Sequence, residues 1–321
     1  MLKYTSMNTI FTICSNNYLA QAKTLGDSVL KYHPDYSFTI VLCDKLSQEI
    51  DYSAFTNFNI IEAHNIGIDN FEYMTENYNI VELNTAIKPF AFDFLFKSND
   101  IVIYLDPDTC LFDSLEDIEN DLKNCNAVLT PHIFSPIALD GMQPTENTFT
   151  NYGIYNLGFF AAKNTSETKK LINWWQENLK TNCKIDVSNG VFVDQLPMNF
   201  APIFFDEIKV NKSPCINVAP WNLHERKIDF QNGHFTVNNK KLVMFHFSNY
   251  NPLDEERFTK YYTRAEHLKS DALCKLYETY KAALLNNGWE KLKDCKCFYI
   301  KPLKQQAKKK FKSFIPKFLR K

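Results

Sequence analysis

The sequence predicts an α/β fold on one central sheet, followed by a helical C-terminal region, and three observations carry that expectation. The β-branched run Asn8-Thr9-Ile10-Phe11-Thr12-Ile13-Cys14 and the run Ser37-Phe38-Thr39-Ile40-Val41-Leu42-Cys43 flank a helical pattern at Ala22, Leu25, Val29 and Leu30. Strand, helix and strand in that order form a βαβ unit, which implies a parallel sheet. The apolar run Ile101-Val102-Ile103-Tyr104-Leu105 then stops at Asp106-Pro107-Asp108, because proline has no N–H for a ladder. The 321 residues, 45% hydrophobic and 23% charged, suffice to bury such a core.

Taken in order, the first strand opens into the polar loop Ser15-Asn16-Asn17-Tyr18, and His33-Pro34-Asp35 ends the helix that follows. Asp44 closes the second strand. Residues 84–96 predict a helix, with Ala86, Pro89, Phe90, Phe94 and Leu95 apolar and Lys88 near its start. Beyond the Asp-Pro-Asp turn, residues 127–130 form a strand, and residues 131–152 read as a long loop of the kind that is functional or disordered. Residues 155–162 are a strand, and residues 166–179 a capped amphipathic helix containing Trp174-Trp175. Apolar segments follow at 191–197, 203–205 and 242–247, and residues 254–285 predict helix. The expected parts are a catalytic domain over 1–250, a helical region over 251–303 and a basic tail over 304–321.

Composition narrows the function. The net charge of −1 hides a tail, residues 304–321, with eight Lys/Arg and no acid, which leaves residues 1–303 at −9. An acidic body argues against broad nucleic-acid binding. Nine scattered cysteines without a CxxC pair suggest neither a disulfide framework nor a zinc site, and so a reducing, cytoplasmic compartment. Neither a signal-peptide pattern nor an apolar stretch of about 18 residues is present. Eight glycines, none in a dinucleotide fingerprint or a Walker loop, disfavour nucleotide-cofactor oxidoreductases and P-loop kinases. Bound phosphate would then be held by a metal, and the 16 Tyr, 27 Phe and 4 Trp would suit a cleft that stacks on sugars or bases.

Ligands of parallel sheets bind beyond the carboxyl ends of the strands. Here those ends are Thr12 to Tyr18, Asp44, and Asp106 to Asp108. Two carboxylates at a strand mouth suit Mg²⁺ or Mn²⁺ and the phosphates it carries, although an Asp-Pro-Asp turn can simply cap a strand. His246, inside Val243-Met244-Phe245-His246-Phe247, is on its own a core histidine; with the acidic pair upstream it becomes a candidate ligand. Lys88 reads either as a charge clamp for a diphosphate or as a solvated lysine at a helix start.

The segments Ile10 to Tyr18, Lys88-Pro89, Tyr104-Leu105-Asp106-Pro107-Asp108, Asn156-Leu157-Gly158, Asp194-Gln195 and His246-Phe247-Ser248 resemble, in order and spacing, bacterial GT-A-fold glycosyltransferases of the retaining family 8 type, over roughly residues 8–250. That resemblance implies a Rossmann-like domain with a mixed central sheet and a nucleotide-sugar donor. It further implies Mn²⁺ or Mg²⁺ on Asp106, Asp108 and His246, and Lys88 near the diphosphate or the sugar. Asn156 would meet sugar hydroxyls, Gly158 would allow close backbone approach, Asp194 would hold the sugar and Gln195 would face the anomeric centre. Thr12, Asn17, Tyr18 and Asp44 are the nucleoside candidates, and a UDP-sugar is the default donor. Two features depart from the pattern. The first loop carries Ser15-Asn16-Asn17 where many members carry acids, and Val218 to Arg226 is closer to capsule or lipopolysaccharide enzymes, with Trp221 either a sugar platform or loop packing.

In the tail, Phe311, Phe314, Ile315, Phe318 and Leu319 recur at helical spacing with lysines between them, broken at Pro316. Such a basic amphipathic segment suits the anionic inner face of a membrane, and a glycan or lipid-linked acceptor there would explain it. The alternatives are a sugar-1-phosphate nucleotidylyltransferase, which needs a Gly-rich basic first loop that is missing, and a catalytically idle, membrane-associated glycan-binding protein.

Overall fold

The structure, a computed structural model, describes residues 8–254 and 256–299. The N-terminal half contains β1 (Asn8–Cys14), α1 (Leu19–Tyr32), β2 (Ser37–Leu42), β3 (Asn59–Glu62), α2 (Phe71–Asn77), α3 (Ile80–Ala86), α4 (Lys88–Leu95), β4 (Ile101–Leu105), β5 (Thr109–Leu111), α5 (Glu116–Leu122) and β6 (Ala127–Pro131). Then come α6 (Glu146–Tyr152), β7 (Tyr155–Lys163), α7 (Ser166–Asn182), β8 (Ile185–Asp186), β9 (Val191–Phe192), α8 (Ala201–Phe204) and β10 (Ile208–Val210). The remainder is β11 (Ile228–Gln231), β12 (His234–Val237), β13 (Lys240–Lys241), β14 (Met244–His246), α9 (Thr263–His267), α10 (Asp271–Asn286) and α11 (Trp289–Leu292).

Seven strands make the central sheet, in the order β10-β6-β7-β4-β1-β2-β3. Every neighbouring pair is parallel except the two that β7 makes, with β4 and with β6. The sheet is therefore mixed, as expected. Because β7 runs backwards, its first residues lie beside the carboxyl end of β4: Leu105 faces Phe159, and the Asp106 amide donates to Gly158 O at 2.9 Å. Away from the sheet, β14 pairs antiparallel with β5, setting His246 opposite Thr109.

Both faces are covered, which is why the central strands read as nearly continuous apolar runs. Successive residues of β1 serve opposite cores: Ile10 packs with Leu25 and Val29 of α1, whereas Phe11 packs with Phe92 of α4 and Phe160 of β7. Each such fully buried side chain contributes about 1.5–3 kcal/mol. A third cluster packs Phe245 and Phe247 against Leu276, Tyr277 and Tyr280 of α10, so the helical C-terminal region braces the β14 segment.

Three expectations need correction. Residues 84–96 are parts of two helices, because Pro89 has no N–H for the Thr85 carbonyl and the chain restarts with proline in the first turn of α4. The stretch 131–152 ends in α6, whose one buried residue, Phe149, leaves no visible period. Residues 254–285 are helical only in α9 and α10. Asp254 takes the amides of Glu256 and Arg257, each at 3.1 Å, and Glu266 takes that of Phe258 at 2.7 Å, so side chains replace the i−4 carbonyls there. The tail at 304–321 lies outside the described residues. No helix among them is long and apolar enough to cross a membrane.

Candidate active site

The mouth of β4 is where the acidic pair sits. Asp106 is fixed by the Tyr104 hydroxyl, which donates to Oδ1 at 2.6 Å, and Asp108 O accepts the Phe247 amide at 2.8 Å. That second bond continues the β5–β14 ladder and aims the buried His246 at both acids. His246 Nε2 lies 3.0 Å from Asp108 Oδ1 and 3.7 Å from Asp106 Oδ2. One ligand atom from each of the three residues falls within 4.8 Å of the others. Burial works against charge on the imidazole, yet Asp108 and then Asp106 outweigh it and hold His246 above its ordinary range.

The backbone opposite is shaped for this arrangement. A Cβ on Gly158 would lie 2.5 Å from His246 Cε1 and 2.7 Å from Asn156 Oδ1. Glycine is required here for clearance. Two carboxylates and one imidazole, partly open to solvent, form a donor set that fits Mn²⁺ well and Mg²⁺ less well.

These groups share one cavity of about 880 Å³ with Tyr18, Lys88, Asn156, Asp194 and Gln195. Lys88 is not solvated. It is 1% exposed, and its Nζ lies 2.6 Å from Asp194 Oδ2 and donates to Leu157 O at 2.8 Å. Burial keeps the Asp194 carboxyl above its usual range despite that ammonium. The preceding residue, Val193, has a φ of 36°, a left-handed conformation that a β-branched side chain adopts at a cost of order 1–3 kcal/mol. Strain of that size is tolerated where it points a neighbouring group. Both ends of the Gln195 carboxamide are held: Oε1 accepts the Leu157 amide at 3.1 Å and Asn156 Nδ2 at 3.3 Å, while Nε2 donates to Tyr152 O at 2.7 Å.

Behind Asn156 stand residues that the sequence did not single out. Asn217 Nδ2 donates to Asn156 Oδ1 at 3.0 Å, and His132 Nε2 lies 3.2 Å from Asn156 Nδ2. Burial pushes His132 down to about 3, so the ring is neutral and can accept from that amide. In the sequence its only mark is its place just after a buried strand. Trp221 is 2% exposed and meets His132, His246 and Tyr262 edge to face, so it packs rather than offering a platform. The long loop before α6 is clamped twice: Glu225 takes the amides of Phe134 and Ser135, and Arg264 grips Asp140 at 2.6 and 2.7 Å.

The nucleoside candidates are divided. Tyr18 is 44% exposed and lines the cavity, and Asn17 is half-buried. Thr12 is sealed inside β1, and Asp44 is 0% exposed. The Asp44 carboxylate is engaged by three backbone amides, those of Asn16, Lys45 and Phe298.

No protein-family profile matches the chain. YfnD of Bacillus subtilis (strain 168), an uncharacterized protein, is 23% identical over 253 residues, spanning 77% of this chain and 79% of YfnD. Among solved structures, GlyE, a glycosyltransferase of Streptococcus pneumoniae TIGR4, is similar over 87% of this chain and 64% of its own, with a TM-score of 0.48 and 16% identity. The galactosyltransferase LgtC, solved in complex with donor and acceptor sugar analogs, is similar over 94% of this chain and 100% of its own, with a TM-score of 0.51 and 15% identity. That whole-length match, on a seven-stranded and mostly parallel sheet, shows that the chain has the GT-A glycosyltransferase fold.

Proposed function

We propose that the protein is a metal-dependent, retaining hexosyltransferase that moves sugar from a nucleotide sugar, a UDP-sugar by resemblance, to a glycan, lipopolysaccharide or lipid-linked acceptor. One observation carries this reading. The acidic pair, His246, the buried Lys88–Asp194 pair, Asn156 and Gln195 come from five separate stretches of chain and line a single cavity. The volume of about 880 Å³ falls in the range of ligand pockets. LgtC, which shares the fold, has been seen with donor and acceptor sugar analogs.

When bound by Asp106, Asp108 and His246, Mn²⁺ would neutralise charge that develops on a departing diphosphate. The chain's own groups do the rest. Lys88 and the strained turn at Val193 hold the Asp194 carboxylate toward the sugar hydroxyls. Asn156, oriented by Asn217 and His132, would bind the same ring. The Gln195 oxygen, held by the Leu157 amide, sets the negative end of a fixed dipole beside an oxocarbenium-like centre. Such a dipole needs no reorganisation as the bond breaks.

The tail at 304–321 is proposed to hold the enzyme on the anionic inner membrane face, in the cytoplasm. Incubation with a panel of UDP-, GDP- and CDP-hexoses and Mn²⁺ tests the function. Chelator-sensitive release of nucleoside diphosphate is expected, with NMR showing retained anomeric configuration in the product. Inertness toward every donor, or turnover indifferent to chelator, would sink it.

A further inference from the structure

We infer that the segment from Cys297 to Tyr299 lies across the floor on which the donor's nucleoside would rest, so that segment and donor exclude one another. This rests on the nucleotide-donor reading above and adds a control to it. The floor is the carboxyl edge of the first parallel strands, where β1 and β2 end side by side and the Cys43 amide donates to Cys14 O at 2.8 Å. A ligand of such a sheet binds just beyond those ends.

After α11 the chain crosses that same place. The Phe298 amide donates to Asp44 Oδ1 at 2.7 Å, completing the set of three amides that bury the carboxylate. The Cys297 thiol donates to Asn17 Oδ1 at 3.1 Å. Lys45 Nζ stands 4.1 Å from the centre of the Phe298 ring, and the Tyr299 ring meets Phe71 edge-on at 5.4 Å. An N–H aimed at a carboxylate, with a flat ring beside it under a cation, is also what a nucleobase with a ring N–H presents. The segment thus fills base-shaped needs with its own atoms.

Its middle is held lightly. Phe298 is 62% exposed, so little apolar burial opposes its release, while buried Cys297 and half-buried Tyr299 anchor the ends and the Asp44 carboxylate beneath is inaccessible. Donor binding therefore requires residues 297–299 to lift.

Hydrogen exchange of the full chain, with Mn²⁺ alone and with Mn²⁺ plus UDP, is the first measurement. UDP is expected to speed exchange of the 297–299 amides at least tenfold; unchanged or slowed exchange, with UDP bound, would overturn the inference and leave the donor reading intact. Calorimetry on Phe298→Pro, which lacks the N–H, and on Phe298→Ala, with melting curves as a check on folding, is the second. Both are expected to bind UDP about tenfold more tightly, and equal or weaker binding would overturn the proposal. GDP and CDP run in parallel, and if no nucleoside diphosphate binds any form, the donor reading falls and the inference with it.

Discussion

Asp108 lies between a backbone bond to Phe247 and a side chain 3.0 Å from His246, so its removal changes charge and leaves the strand pairing intact. Asp108→Ala, and Asp106→Ala likewise, should cut transfer on the order of a hundredfold or more while circular dichroism stays unchanged. Near-normal turnover at saturating Mn²⁺ would remove the metal centre from the mechanism. His246→Ala should weaken activation by Mn²⁺ more than by Mg²⁺, since imidazole prefers the softer ion. Loss of melting temperature without any change in metal dependence would return it to a core role. The acidic pair was legible because proline after an apolar run dictates a strand end at that point. His246 needed the acidic pair upstream, since an imidazole in an apolar run looks the same in a core as beside a metal. His132 and Asn217 were not legible at all, because a lone histidine after a buried strand and an asparagine in a connecting segment carry no mark of their contact with Asn156.

Among the elements, the loop before α6 shows how charge can substitute for periodicity. Arg264, on α9, reaches back to Asp140 with two short bonds and donates its own amide to Gln143 O at 2.9 Å. The Arg264 guanidinium holds the Asp140 carboxyl down to about 2, chiefly by hydrogen bonding. The folded value lies below the unfolded one near 3.9, so this contact stabilises above about pH 4 and is lost as pH falls toward 2. Carbon-detected NMR should find that low midpoint in the native protein and an ordinary one in Arg264→Ala; an unshifted native midpoint would dissolve the latch. The long loop was recognisable from its lack of apolar period, but its anchors were not, because Asp140–Arg264 and Glu225–Ser135 join residues remote in sequence. The helix break at Ile87 is written in Pro89, which the apolar pattern around it masks.

For the molecule as a whole, the opening βαβ unit was readable, whereas the reversal of β7 was not, since a fully buried strand has the same composition in either direction. That reversal brings Gly158 to Asp106 and so makes the cleft. The body is acidic and the tail basic, an asymmetry that bears on where the protein works. Removing residues 304–321 should leave turnover of a soluble acceptor intact and abolish salt-sensitive cosedimentation with anionic vesicles, since each basic residue near such a surface adds about 1 kcal/mol. Equal pelleting of full-length and truncated chains would return the tail to a solvated extension.

The pairing of β14 with β5 carries a consequence for how the chain reaches its native state. Asp108 and His246 stand 138 positions apart, so their meeting closes a very long loop, and contacts of that span form late when folding is limited by chain topology. An ion that needed both residues would not guide the early steps; it would only hold what had already assembled. Mn²⁺ at a hundred times its dissociation constant should thus add about 2.7 kcal/mol of stability. Nearly all of that gain should appear as slower unfolding, with the refolding limb of the chevron unmoved. A refolding rate that climbs with Mn²⁺ would mean instead that β14 docks on β5 before the rate-limiting barrier.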